Sequence, residues 1–498
     1  MNSGQFIYTL DDPYIHLRLA ENILKGHYGI NISEYSAPSS SILWPLLLAP
    51  FSASSIGQYA PLLLNLGATL GTLLIMGSHV NKIFNSDVQA GILVSLLVPG
   101  LNLIGMTFTG MEHSLQIFLA IMVASGLIVE LETGQAKWWL ILALIVGPLV
   151  RYEALSLTIA SSAYLIYRRH HKVAGFCLLI SIIFIGAFSW FLSSLNLGLL
   201  PSSVIAKSQA INSDGILPGL VLTFMKNLLT RQGTILLAGL LLFGFFFLQA
   251  QRRSKEKGLA VWAMSILLIH LSIIPVGGNR FYRYDLYIFA ITILLLLYLY
   301  GSSINRISAS FSRISRAFLA ITILATISFP FLGHAFLTPL ASNNIYEQQY
   351  QMKLFFQKYY REPVAVNDLG LVSYGAHNYV LDLWGLGSHE ALNERRNNHS
   401  GEWMDRLARK YNVHLAMIYE RWFPTIPENW IRLGTLHLGK ATIAPADAKV
   451  TFYAIDQENI ITTRLALQSF KQSLPAGVGL EIESDQRNVN VHTHPSSF

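Results

Sequence analysis

Two adjacent carboxylates, Asp11 and Asp12, are the residues of this 498-residue chain that first point to chemistry. They precede an amphipathic pattern over residues 14–24, which predicts a short helix lying in a membrane interface. Asp12 stands directly before Pro13, as a helix N-cap does, so this carboxylate has a structural explanation. Asp11 has none in the sequence, which makes it the stronger candidate for a general base.

Other ionisable residues stand out because they interrupt or flank apolar stretches. Such residues near a membrane are functional candidates, and arginine suits the binding of a phosphate group. Each also has a plain structural interpretation, as an ion pair at a helix end, an acid in a first helical turn or a solvated cation. The candidate substrate-binding residues are Arg18, Glu112, His113, Arg151, Glu153, Lys207, Arg280 and Arg283.

The composition predicts a polytopic α-helical membrane protein. Hydrophobic residues make up 52% of the chain and charged residues 13%, whereas soluble proteins carry about 25% charged residues. Residues 137–167 are predicted to form two short helices broken at 151–153, and residues 42–51 a re-entrant or interfacial segment. With these segments the chain would cross the membrane about ten times. The apolar stretches near the length of a membrane span lie at about 58–78, 88–108, 114–131, 173–195, 232–250, 259–276, 285–302 and 317–336.

The basic loops predict the orientation. Residues 168–172, 252–257 and 306–316 are rich in Lys and Arg and are expected on the cytoplasmic side. The polar candidates and everything after about residue 337 then fall on the outer side. There they would combine a carboxylate pair for proton abstraction with cations for an anionic leaving group. The aromatic residues near Arg283 are predicted to form an interfacial belt rather than a sugar platform; they are Phe281, Tyr282, Tyr284 and Tyr287.

Residues 1–336 are predicted to form the transmembrane catalytic domain, 337–483 an outer α/β domain and 484–498 a disordered tail. The single cysteine, Cys177, excludes an intrachain disulfide. No basic face with interleaved aromatic residues is visible, so no nucleic-acid partner is predicted. The predicted strands, with a partly parallel sheet expected, are Val364–Val366, Tyr379–Leu381, His414–Ile418 and Val450–Ala454, and Gly401–Tyr411 is a predicted helix.

Several short stretches resemble, in order, the bacterial GT-C membrane glycosyltransferases, and most nearly their arabinofuranosyltransferase-like branch. D-D-P-Y-I-H-L-R, E-N-I-L-K-G-H-Y-G-I-N and S-A-P-S-S-S-I-L-W-P-L-L-L are similar to the first outer loop of that family. T-G-M-E-H-S, R-Y-E-A, L-P-S-S-V-I-A-K and G-G-N-R follow, and D-L-G-L-V-S-Y with L-D-L-W-G-L falls in the outer domain. The departures are Ser202-Ser203 for Asn-Thr, Asn279 for an acid and Tyr152 for proline.

The resemblance implies an inverting transferase that uses a polyprenyl-phosphate-linked sugar donor, with Asp11 as base and Asp12 positioning it. Lys207, Arg280 and Arg151 would then contact the donor phosphate. The implied acceptor is a cell-envelope glycan, lipid or protein, and the implied location is the bacterial cytoplasmic membrane, among its lipids. No cofactor is predicted, and the sequence leaves a divalent metal ion open.

Three alternatives remain at the level of sequence: a glycan ligase, a flippase or transporter of lipid-linked sugars, and an inactive scaffold of similar architecture. The family also carries a membrane helix before the Asp-Asp pair. Only ten residues precede the pair here, so we expect a further apolar segment encoded upstream.

Overall fold

The computed structural model describes residues 2–84, 87–208, 216–251, 254–278, 280–309, 313–398 and 400–483. The predicted tail at 484–498 and Asn279 lie outside these residues. The helices of the first part are α1 (Asp12–Leu24), α2 (Leu43–Ser52), α3 (Ala60–Phe84), α4 (Asp87–Gly100), α5 (Leu103–Phe108), α6 (His113–Thr133), α7 (Trp138–Val150), α8 (Ala154–Tyr167), α9 (His171–Ser194), α10 (Ser202–Ser208), α11 (Ile216–Leu228), α12 (Arg231–Gln249), α13 (Glu256–Ile273), α14 (Leu286–Ala309) and α15 (Arg313–Glu347).

Five helical stretches of the described chain are long and apolar enough to cross a membrane. They are Gly57–Ile83, His113–Thr133, His171–Ser194, Arg231–Gln249 and Glu256–Ile273. Five shorter apolar helices accompany them, at Leu43–Ser52, Ala90–Gly100, Trp138–Val150, Ala154–Tyr167 and Leu286–Gly301. The chain is therefore that of a multi-pass membrane protein, in which several apolar helices are shorter than a full span.

Two breaks divide the apolar stretches, and the second positions a residue of the site. The predicted span at 88–108 is two helices, because Asn102 adopts a left-handed conformation (φ 46°) between α4 and α5. The predicted break after residue 150 is confirmed: Arg151 is extended, with φ −149° and ψ 129°, and separates α7 from α8. This turn brings Arg151 to the end of the helix bundle.

The C-terminal part is an α/β domain, as predicted, with a six-stranded sheet of order β2-β1-β3-β5-β4-β6. Strand β1 is parallel to β2 and β3, whereas β5, β4 and β6 are antiparallel additions, so the sheet is partly parallel as expected. Helix α15 continues without interruption from the apolar region towards this domain. The elements are α16 (Gln349–Leu354), β1 (Val364–Val366), α17 (Gly370–Ser373), β2 (Val380–Asp382), α18 (His389–Asn397), α19 (Glu402–Lys410), β3 (Leu415–Ile418), β4 (Ile431–His437), β5 (Lys449–Ala454), α20 (Ile460–Lys471) and β6 (Gly479–Ile482).

Helix α1 lies inside the protein and not in a membrane interface, which corrects the prediction from its amphipathic pattern. Every residue from Pro13 to Ala20 is buried. Tyr14 and Leu17 belong to the hydrophobic core of the helical region. Ile15 belongs instead to the core on one face of the sheet. Helix α1 therefore packs between the helix bundle and the C-terminal domain, so both parts position the Asp-Asp pair at its start.

Candidate active site

Asp12 is the first residue of α1 and so does not hold the N-cap position. That position belongs to Asp11, which makes no side-chain capping hydrogen bond. The prediction of an Asp12 cap is therefore wrong. Arg283 instead donates a hydrogen bond from Nη1 to Asp12 Oδ2 over 2.8 Å. The Asp12 side chain is 39% exposed, so this carboxylate stays open to substrate.

Asp11, expected to have no structural role, has a clear one. Its Oδ2 accepts a hydrogen bond from the Gly370 amide over 2.6 Å, and its Oδ1 accepts one from Leu371 over 2.8 Å. Asp11 is only 6% exposed. Burial, and next the nearby carboxyl group of Asp368, raise the pKa of Asp11 well above its usual value. Asp11 thus joins the start of α1 to the C-terminal domain, and its oxygens point away from solvent.

A buried ion-pair network surrounds Arg151, behind Asp12. Arg151 Nη1 donates to Glu112 Oε1 over 2.9 Å, while its Nε and Nη2 donate to the two carboxylate oxygens of Glu153 over 3.1 and 2.5 Å. The side chains of Arg151 and Glu112 are 3% and 0% exposed. Ser40 donates to Glu112 Oε1 over 3.2 Å, and His16 Nε2 lies 3.7 Å from Glu112 Oε2. The alternative interpretation of an ion pair at a helix end therefore holds for Arg151 and Glu153.

Tyr284 connects this network to Asp12. The guanidinium carbons of Arg151 and Arg283 lie 5.0 and 5.3 Å from the centre of its ring. The ring of His113 lies 5.4 Å from the same ring. The two arginine distances are within the usual range of a cation–π contact. The starts of α1, α6 and α14 and the break between α7 and α8 thus meet in one polar cluster.

The cluster occupies one end of the helix bundle. Helix α6 starts at the cluster with His113, and near its other end Glu130 pairs with Arg168 over 3.1 Å and with His170 over 2.9 Å. At 1.5 Å per residue, His113 and Glu130 stand about 25 Å apart along this helix. The basic loop after α8 is therefore separated by the length of the bundle from the candidate catalytic carboxylates.

Three predicted site residues are not placed in the polar cluster by the structure. Arg18 is buried, and it donates to the carbonyl oxygen of Ile30 over 3.0 Å and to Glu21 over 3.0 Å, which is a structural role. Arg280 donates to two backbone carbonyl groups of the C-terminal domain, at Ile443 and Pro445. Lys207 belongs to α10, but its side chain lies outside the described part of the structure.

Four residues of the site escaped the sequence interpretation. His16 lies one helical turn after Asp12, a spacing that places both on one side of α1. Tyr284 belongs to the predicted interfacial belt, whereas in the structure its ring contacts Arg151 and Arg283. Ser40 falls within a polar stretch, S-A-P-S-S-S, whose serines carried no signal of their own. Asp368 opens the D-L-G segment, and nothing local shows that it meets residue 11.

No group of three or more His, Cys, Asp or Glu side chains in the described residues is arranged to hold a metal ion, so we assign no metal ligands. The anionic and cationic groups of the cluster instead pair with each other. What the arrangement offers is one half-exposed carboxylate, Asp12, beside one partly accessible guanidinium, Arg283, whose side chain is 13% exposed.

A family model described as a domain of unknown function (DUF8728) matches residues 343–453, which contain strands β1 to β4 and all but the last residue of β5. No curated protein sequence matches the chain.

Solved structures of one archaeal enzyme show a weak overall similarity. The oligosaccharyltransferase of Archaeoglobus fulgidus in its apo form is 14% identical with a TM-score of 0.48, over 92% of this chain and 72% of that chain. Its complex with Zn and sulfate is 14% identical, with a TM-score of 0.46 over 95% and 71% of the two chains. AglB from the same organism, in complex with an inhibitory peptide and a dolichol-phosphate, is 13% identical with a TM-score of 0.46 over 92% and 74%.

Proposed function

We propose that this protein is a GT-C-type inverting glycosyltransferase that transfers a sugar from a polyprenyl-phosphate donor to an envelope glycan, lipid or protein. One observation carries the proposal. Polar residues from four segments far apart in the sequence converge at one end of the helix bundle, where Asp12 alone of the two adjacent aspartates is open to solvent. The motifs that resemble the GT-C family supply three of these segments and border the fourth, the start of α14.

Asp12 is the general base of this proposal, in place of Asp11. Its carboxylate takes the proton of the acceptor hydroxyl group as the acceptor oxygen attacks the anomeric carbon. The bond between that carbon and the phosphate oxygen breaks on the opposite side of the sugar, and polyprenyl phosphate leaves. Asp11 cannot reach the acceptor in this arrangement, because both of its carboxylate oxygens bind backbone amides of the outer domain.

Arg283 is the cation proposed for the departing phosphate. Arg151 is less suited, since Glu112 and Glu153 already offset its charge. Arg280 is less suited as well, since it binds two carbonyl groups. Arg283 has a planar fork of donors that can bind a phosphate while one nitrogen holds Asp12. Lys207 remains a second proposed phosphate contact, from the resemblance of its loop to the family.

The proposed location is the outer face of the bacterial cytoplasmic membrane. The basic loop at residues 168–172 would lie inside by the positive-inside rule, and the cluster lies at the opposite end of α6. A donor with a lipid tail can enter from the bilayer while its phosphate meets Arg283, which is why we favour a lipid-linked donor over a soluble sugar nucleotide.

The test uses the purified full-length protein in lipid nanodiscs with a panel of polyprenyl-phosphate sugars and mixed envelope acceptors. Released polyprenyl phosphate is measured by mass spectrometry. We expect release with at least one donor and a loss of about 10²- to 10⁴-fold for Asp12→Asn. The matched control is Glu458→Gln, the same change from acid to amide on an exposed loop of the outer domain.

Two results would contradict the proposal. Release of lipid phosphate from none of the donors by folded protein would favour a transporter or an inactive scaffold. A normal rate for Asp12→Asn would remove Asp12 from the role of base.

A further inference from the structure

The start of α1 is held by the outer domain through a pair of carboxyl groups. Asp11 binds the amides of Gly370 and Leu371, as described above, and the carboxyl group of Asp368 lies beside its own. A carboxylate has no donor hydrogen, so two carboxyl groups bind each other only while one proton stays between them. Two backbone hydrogen bonds therefore hold Asp11 against the C-terminal domain, and a proton shared with Asp368 would strengthen this contact.

Asp368 is itself fixed by buried side chains of the C-terminal part. Gln349 Nε2 donates to Asp368 Oδ2 over 2.7 Å, and the Tyr419 hydroxyl group donates to the same oxygen over 3.1 Å. Gln349 Nε2 also lies 2.8 Å from the Tyr419 oxygen, to which it donates a hydrogen bond. These hydrogen bonds hold the Asp368 side chain in position within the C-terminal domain, next to Asp11.

Gly370 permits this close approach. A Cβ atom at this position would lie 2.1 Å from the carbonyl oxygen of Asp11 and 2.6 Å from its Oδ2. Gly370 does not belong to the glycines with positive φ, so alanine could adopt its backbone conformation. The three heavy atoms nearest to this Cβ position all belong to Asp11, so the close contact with Asp11 accounts for the glycine.

A second contact supports the same docking. The Asn31 side chain donates to the carbonyl oxygen of Val380 over 2.9 Å and accepts from its amide over 3.0 Å, which pairs it with strand β2. Tyr379 donates to Glu34 over 2.8 Å. The segment from residue 11 to 34 is therefore joined to the sheet domain at both ends of α1.

We propose that Asp368 is a positioning residue for the reaction: with Gly370 it seats Asp11 and so fixes the neighbouring Asp12 in front of Arg283. The outer domain is then part of the catalytic unit, and the transmembrane helices alone do not complete the site. The inference rests on the proposed function insofar as Asp12 is the base. The contact of Asp11 with Asp368, Gly370 and Leu371, called the seat below, is a property of the fold. Its strength can be measured without an assay of transfer.

The seat depends on pH in a defined direction. Burial raises the pKa of Asp11 and of Asp368, and the two carboxyl groups reinforce the shift in Asp11. The charged or titratable groups that face the pair are Asp12, Tyr14, Arg280 and Tyr419. Because the folded-state pKa is raised, the seat is intact at low pH and weakens as the pH rises through that pKa and the shared proton is lost.

The experiment uses full-length protein and the variants Gly370→Ala and Asp368→Asn. Gly479→Ala is the matched control, since its new methyl group would meet only the Cβ of His437 at 3.7 Å, an ordinary contact. Hydrogen exchange is measured for residues 11–24 and for the amides of Gly370 and Leu371, and the kcat of transfer is measured against pH.

For Gly370→Ala we expect faster exchange at both sites and a kcat lower by about 10²-fold, because a displacement near 1 Å misaligns the base. Gly479→Ala should leave the exchange rates and the kcat unchanged. Asp368→Asn keeps a donor to Asp11 in its amide group, which does not titrate. It should retain the kcat of the wild type at low pH and lose the decline in kcat at high pH.

Wild-type exchange and kcat in Gly370→Ala would overturn the inference, as would an unchanged alkaline decline in Asp368→Asn. If no donor supports transfer, the proposed function fails, while the exchange data still decide whether the seat exists. If transfer occurs but exchange in Gly370→Ala is normal, only the seat is refuted.

Discussion

The ion pair between Glu112 and Arg151 should respond unequally to the loss of its two members. In Arg151→Met the guanidinium group disappears, and Glu112, which is 0% exposed, keeps a hydroxyl donor from Ser40 at 3.2 Å and His16 at 3.7 Å. Removing one partner of a buried pair costs about 3–5 kcal/mol, because an uncompensated charge remains in the interior. We therefore expect Arg151→Met to be strongly destabilising.

The opposite change should cost less. In Glu112→Gln, Arg151 retains its two hydrogen bonds to Glu153, whose side chain is 32% exposed and so partly hydrated. What is lost is one charge-assisted hydrogen bond, so we expect a cost of about 1–3 kcal/mol. The double variant no longer buries the Glu112 charge. It should be more stable than Arg151→Met alone, which requires a coupling energy larger than the cost of Glu112→Gln and so one near the upper end of about 0.5–3 kcal/mol.

The free energy of unfolding is measured for the four proteins in one mixed-micelle system with a denaturing detergent, together with the melting temperature. The reasoning is refuted if Glu112→Gln is the more damaging single change. It is also refuted if the cost of the double variant equals the sum of the two single costs, because the two charges would then not be coupled.

Three further outcomes are expected. Burial raises the pKa of Asp382 to about 6 from 3.8, so the C-terminal domain should lose about 3 kcal/mol of stability as the pH rises from 4 to 7; equilibrium unfolding of Asp382→Asn should lack this slope, and an identical slope would contradict it. Arg283→Lys keeps the charge but loses the planar fork, so transfer should fall about tenfold, the equivalent of one charge-assisted hydrogen bond; transfer assays that show no change would exclude Arg283 as the phosphate ligand. A cysteine introduced into the outer domain of a Cys177→Ser protein should react with an impermeant maleimide in intact cells, and protection there would place the proposed active face in the cytoplasm.

The sequence by itself determined the elements that depend on local composition. Apolar stretches near the length of a span predicted most of the helix bundle, and Arg151 predicted the break between α7 and α8, because an ionisable residue cannot easily continue an apolar helix. Runs of β-branched and apolar residues predicted strands β1, β2, β3 and β5 within one or two residues of their bounds. Strands β4 and β6 escaped prediction, since β4 carries Arg432 and Gly434 and β6 has four residues only.

Only the tertiary structure decided what each aspartate does. The local pattern Asp12-Pro13 favoured a helix cap at Asp12 and left Asp11 without a partner. In the structure Asp12 pairs with a guanidinium group, and Asp11 binds two backbone amides. The amides that bind Asp11 lie 359 and 360 positions further along the chain, and the guanidinium that binds Asp12 lies 271 positions away. A sequence pattern reports the preferences of neighbouring residues, whereas the exposure of a carboxylate depends on which distant surfaces fold against it, because burial and pairing are properties of the packed chain.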